Sequence, residues 1–479
     1  MPNCAPVAEA AYVPSENMPW TKARAMHLHR RIAFGADVTT INAAVAAAPD
    51  EVVSSLVSEA AQLPLAPEPD FANQTFPEYG LALLESTLQK DQFAREWIKA
   101  LQTSGLRGRL ALFWHNHFVT RFDVYESASY TYQYHKLLQE YALGNFKDFV
   151  YEMGLTPAML VFLNGTENSV VGPNENYARE LYELFTLGDG NGYTQQDIEE
   201  TARALTGYTD IPVQWGPINF DPATLDAGEK TIFGRTGNWG YDDVVDMLFE
   251  ERPEQIARFI TGKLYRRFVN PQPNEEMINY LAEVFRQANW EIAPLVSAMF
   301  SSAHFFAEEN MGTIIEGPVE HVLIFYNELG LTVNGLSVLG IYADATRAGQ
   351  ALFNPVDVAG WPGNRSWINT TTITQRWEFY QSQLGLALVF SFGNLGEITR
   401  AITTEAEDVE VICQQLVDYF MPRGLQFSTD FEAALVNFKG EIPPEYFVNG
   451  NWNIDYWAVP IQFRALLAYL SQLPEFQLK

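Results

Sequence analysis

Apolar residues recur three and four positions apart through most of this chain, the spacing that gathers them on one face of an α-helix. The pattern holds in INAAVAAAPDEVVSSLVSEAAQ, FAREWIKALQ, LRGRLALFWHNHF and YHKLLQEYAL, and again in YARELYELFTLG, DIEETARALTGY, PEQIARFITGKLYRRFV and NEEMINYLAEVFRQA. The expected fold is therefore mostly α. Residues 209–238 break the pattern with Pro, Gly and short alternating runs, where INF pairing with TIF would make a β-hairpin. Residues 353–372 and the stretch GEIPPEYFVNGNWNIDYWAVP read as ordered loops.

With 479 residues the chain exceeds the size at which one core usually stops growing, so two packed lobes are expected. Residues 1–20 read as a flexible arm, 21–208 as an N-terminal helical lobe, 209–246 as a hairpin connector and 247–479 as a C-terminal helical lobe. No internal repeat long enough for a solenoid is present.

Charge then narrows the partners. Against 30 basic residues stand 59 acidic ones, a formal net charge of −29, which repels phosphate backbones and anionic lipid heads. No nucleic acid partner and no membrane span are expected; a cation or neutral substrate suits such a surface, and solubility alone also explains it. Cys4 and Cys413 make neither a disulfide framework nor a Cys-based zinc site. The N-terminus lacks a basic and apolar leader, so the sequence as it stands reads as cytoplasmic, or as periplasmic or secreted if a signal segment has been removed.

Candidate chemistry begins at FWHNHFVTR, which holds His115 and His117. On a helix, Leu106, Leu110, Phe113, Trp114 and His117 share a face, and His115 lies about 200° round from His117. Two histidines so placed do not share one metal; an extended H-x-H does. His117 is thus expected in the core, bonded to Glu180 or Asn176, with His115 on the exposed side, and a metal or catalytic role is the alternative. In PNENYARELYEL, Arg179 stands four residues from both Glu175 and Glu183, the spacing of intrahelical ion pairs. Buried among aromatics, Glu175, Glu180 and Glu183 would instead serve as acid, base or metal ligands. His115, Arg179, Glu180 and Glu183 are the candidate catalytic residues, and His115, His117, Glu180 and Glu183 the candidate ligands of a divalent cation, the one cofactor this pattern suggests.

DGNGYTQQDIEE resembles an EF-hand loop through Asp189, Asn191, Asp197 and Glu200. A helix end at Gly188 followed by an N-cap at Thr194 explains the same residues without calcium. Trp361, Arg365 and Trp367 lie in a loop able to stack a sugar or a cation, or simply to plug the core. There is no G-x-S-x-G, P-loop, complete dinucleotide fingerprint or H-E-x-x-H.

Taken together, HRRIAFG, LFWHNHFVT, LGNFKDF with TPAMLVFLN, PNENYARELYELFTLG with GYTQQDIEETARALTGY, EKTIFGRTGNW, LFNPVDVAGWPG and PEFQLK resemble the bacterial family of domain of unknown function 1800 from His29 to Lys479. The resemblance implies one family module, no established activity, and a neighbour-encoded protein partner resembling alkaline phosphatases and sulfatases. It places His115, Asn116, His117, Asn174, Glu175, Asn176, Arg179, Glu180 and Glu183 in the most recognisable motifs. Many members carry histidine where this chain has Phe185 and Leu225, which removes two natural partners for His115 or His117 in a metal site. Two classes of function remain: a polar or divalent-cation site built from His and Glu, or a non-catalytic scaffold whose polar motifs are buried networks. An open pocket beside Glu180 and His115 would separate them.

Overall fold

A computed structural model describes residues 10–479 with the exception of Ser391 and Pro422. Cys4 and most of the expected N-terminal arm lie outside the described residues. Among the described residues helices make up 60% of the structure, and 23 of them are α-helices. The cause is the apolar spacing together with frequent side-chain caps, such as Asp37, Asn145, Asn274 and Asp408, which satisfy the free N–H groups of a first turn. One hydrophobic cluster runs from Tyr12 to Phe476 across both expected lobes. Even the described part of the expected arm is docked: the Tyr12 N–H donates to the Ser301 carbonyl (2.8 Å), and its ring lies 4.4 Å from that of Phe306.

The connector holds a hairpin, but not between the expected partners. Lys230–Ile232 pairs antiparallel with Arg235–Gly237, in register Lys230 to Gly237 and Ile232 to Arg235. Phe233 and Gly234, both at positive φ, form the tight turn whose twist suits a two-residue hairpin. The INF segment is used elsewhere, Asn219 bridging to Asp210.

Helix Gly105–His117 lies at the centre, with every residue from Gly108 to His115 buried, as is His117. Other elements pack against it all round, so it has no fully solvated face, although Leu112, Phe113 and Asn116 border a cleft. Beside it pack the helices Ala82–Leu101, Ala128–Glu140 and Lys22–Ile32. Among the described residues no helix is long and apolar enough to cross a membrane.

Candidate functional site

Consecutive helical residues point about 100° apart. On a helix buried all round, His115, Asn116 and His117 therefore reach three different neighbours. His115 is fully buried, not exposed as its helical position suggests. The Phe353 N–H donates to its Nε2 (3.1 Å), so Nδ1 carries the proton and donates to the Tyr134 hydroxyl (2.9 Å). That hydroxyl in turn donates to the His115 carbonyl (3.3 Å). Burial, and then the neighbouring His135, lower the His115 pKa to about 3, which keeps the ring neutral.

Asn116 clamps the Trp loop with both ends of its amide. Its Oδ1 accepts from the Trp361 N–H (2.6 Å), and its Nδ2 donates to the Trp361 carbonyl (3.0 Å). Gly360, at φ +82°, permits this approach: a Cβ there would sit 2.8 Å from the Asn116 carbonyl oxygen.

His117 does not bond Glu180 or Asn176. Its Nε2 donates to the Phe185 carbonyl (3.0 Å) and its Nδ1 accepts from Lys263 Nζ (2.8 Å). The Phe185 carbonyl comes within reach because the expected continuous helix changes character. After Asn176–Glu180 the chain widens into a π-helix at Leu181–Thr186, a form that often marks functional positions. Burial, then the Lys263 charge, push the His117 pKa well below its ordinary value.

Lys263 belongs to helix Pro253–Phe268, where Arg266 and Arg267 follow at i+3 and i+4 on the same side. Together with Asn116, Trp361 and Trp367 they line a cleft of about 450 Å³, a volume suited to a small organic ligand. Among the described residues no carboxylate pairs with Lys263 or Arg266, and burial lowers the Lys263 pKa to about 8. Trp361 is buried, with its indole Nε1–H unpartnered among the described residues.

The carboxylate in the lining, Glu320, is already claimed by Arg267 and by Arg109 (3.6 Å). Beneath it Glu316, fully buried, accepts from Arg109 (2.8 Å) and Arg267 (2.8 Å), with Arg31 at 4.0 Å. Burial by itself would raise the Glu316 pKa. The three guanidinium groups outweigh burial and hold it at about 2. Arg376 donates to the Glu316 carbonyl as well (2.7 Å).

The remaining sequence candidates lie elsewhere. Arg179 pairs with Glu175 (2.9 Å) and Glu183 (3.1 Å), as the spacing requires, and Glu180 is half-buried with its pKa raised by burial and by Glu183. Neither Glu180 nor His115 lines the cleft. In the EF-hand-like loop, Thr194 and Asp197 form a reciprocal capping box, and the second Asp197 oxygen accepts from the Phe233 N–H (2.7 Å). Glu200 binds Arg203 (2.9 Å) and the Thr231 N–H (3.0 Å), Asn191 donates to the Leu187 carbonyl (2.8 Å), and Asp189 is exposed. Trp361 and Trp367 line the cleft, whereas Arg365 is exposed outside it. Among the described residues no three of His, Cys, Asp and Glu are placed to hold a metal ion.

Sequence reasoning missed Lys263, Arg266, Arg267, Arg109 and Glu316. One signal was available: in PEQIARFITGKLYRRFV the bases at 263 and 267 flank the apolar row 256, 260, 264 and 268 rather than facing away from it. A family model described as protein of unknown function (DUF1800) matches residues 27–478. No curated protein and no solved structure matches the chain.

Proposed function

The chain belongs to the DUF1800 family, and we propose that in this member the cleft between helices Gly105–His117 and Pro253–Phe268 binds a small anionic ligand. One observation carries the reading. Of the residues lining the cleft, Lys263 and Arg266 have no carboxylate partner and Trp361 has an unpartnered indole N–H among the described residues, and these groups are donors, while the carboxylate of Glu320 is neutralised by arginines. Donors without acceptors in a concave, partly dry site favour a carboxylate, sulfate or phosphate. The two Trp side chains supply walls for an organic body. A divalent cation held by His115, His117, Glu180 and Glu183 has less support, since both nitrogens of each histidine are engaged within the protein. The net charge of −29 does not oppose an anion here, because it sums the whole surface while the cleft is locally basic.

Isothermal titration with oxalate and with sulfate tests this. Each of Lys263→Met and Arg266→Met is expected to weaken binding about tenfold or more, the loss of one charge-assisted hydrogen bond. Unchanged affinity in both variants would defeat the reading.

A further inference from the structure

Lys263 is an unusual lysine for its surroundings. Its Nζ meets a neutral acceptor, His117 Nδ1 at 2.8 Å, rather than a carboxylate. The tautomer of His117 is fixed by the Phe185 carbonyl on Nε2, so Nδ1 always presents a lone pair to the amine. A carboxylate partner would hold the ammonium form by charge; a neutral imidazole does so far less. Once deprotonated, the amine that donates one N–H to His117 has a lone pair not engaged by the ring, on a residue that lines the cleft. Arg266, one helical turn on, stands beside it with no carboxylate partner among the described residues.

We propose that Lys263 is a nucleophile that forms an imine with a 2-oxo acid, a ligand carrying a carbonyl next to a carboxylate. This rests on the reading of the cleft as an anion site and names its ligand class. The ligand carboxylate takes Arg266 and the Trp361 N–H, and the adjacent carbonyl carbon faces Nζ. The nitrogen lone pair bonds to that carbon as the carbonyl π bond breaks onto oxygen, and one nitrogen proton passes to that oxygen, giving a carbinolamine. The nitrogen then forms a double bond to carbon as the C–O bond breaks, and the hydroxyl leaves as water with the second nitrogen proton. Amine and 2-oxo acid thus become imine and water, with no change of oxidation state. Burial that lowers the Lys263 pKa to about 8 leaves roughly a tenth of it as free amine at pH 7.

The test uses the full-length protein with glyoxylate or pyruvate and sodium cyanoborohydride, which reduces an imine to a stable secondary amine. Peptide mass mapping then locates the adduct. Lys263 is expected to label on the order of a hundredfold faster than exposed lysines, the ratio of free-amine fractions set by pKa values near 8 and near 10.4. Lactate, which has the carboxylate but no carbonyl, is expected to slow labelling by competition. Mapping on the unaltered protein keeps the test free of folding defects; Lys263→Arg serves as a control that abolishes the adduct. Labelling of Lys263 no faster than other lysines overturns the imine. If lactate still binds by calorimetry in that case, the anion site stands; if it does not, both fall.

Discussion

His117 connects two groups far apart in the chain: it donates to the Phe185 carbonyl and accepts from the Lys263 amine. Replacing it with Phe preserves the ring volume and strips both partners, at a cost of about 1–3 kcal/mol, the penalty for buried polar groups left unpaired. His117→Gln, which keeps a donor and an acceptor, is expected to lose less. The same reasoning now applies to His115, whose two nitrogens serve Tyr134 and Phe353. His115→Phe is expected to cost a similar amount, and His115→Gln to show a measurable loss rather than none. Urea unfolding of the four variants decides it. An unchanged midpoint for His115→Phe would contradict a structural role for that ring. From sequence, His117 was legible as a core residue because Phe113 and Trp114 share its side of the helix. Its partners were not, since Lys263 lies 146 residues away along the chain.

Individual helices are legible wherever the apolar period is clean and a cap marks the start; Thr194 reads as an N-cap from residue types alone, while the structure adds Asp197, a calcium-loop candidate in the sequence, as its reciprocal capping partner. Two kinds of element differ from their sequence pattern. Helix Gly105–His117 reads as amphipathic, but it is buried nearly all round, which puts His115 in the core rather than at the surface. Alternation points to a hairpin between INF and TIF, whereas the Phe233-Gly234 turn sets the true pairing. The Trp loop was identified as ordered, and the reason is now specific: Asn116 grips the Trp361 peptide on both sides. Gly360→Ala forces a left-handed Ala and a Cβ close to the Asn116 carbonyl, at a cost of about 1–3 kcal/mol. The expected sign of a loosened loop is faster hydrogen exchange at the Trp361 amide. Unaltered exchange there would mean that the clamp does not depend on this glycine.

Across the whole molecule, charge is segregated in a way that totals conceal. Among the described residues the buried bases are Arg24, Arg30, Arg31, Lys90, Arg109, Lys230, Arg376 and Lys479, against the buried acids Asp197, Glu316, Glu320 and Glu328. The acidic excess is therefore on the outside. The histidines add a pH dependence. All seven have pKa values lowered by burial first of all, His115 and His135 to about 3 and His29 to about 4. Below pH 6.5 the unfolded chain takes up protons that the folded histidines refuse, so stability falls by about 1.4 kcal/mol per pH unit for each such group. Unfolding free energy is expected to decline already between pH 6.5 and 5, before most carboxylates titrate. A flat profile across that window would mean the histidines are solvated.

The cleft that these buried groups support is tested most directly by a crystal structure grown in oxalate. The expected result is a carboxylate bonded to Lys263 Nζ and Arg266, with the Trp361 indole N–H donating to it. An empty cleft at an oxalate concentration that saturates binding in solution, or oxalate bound only at other surfaces, would contradict the assignment.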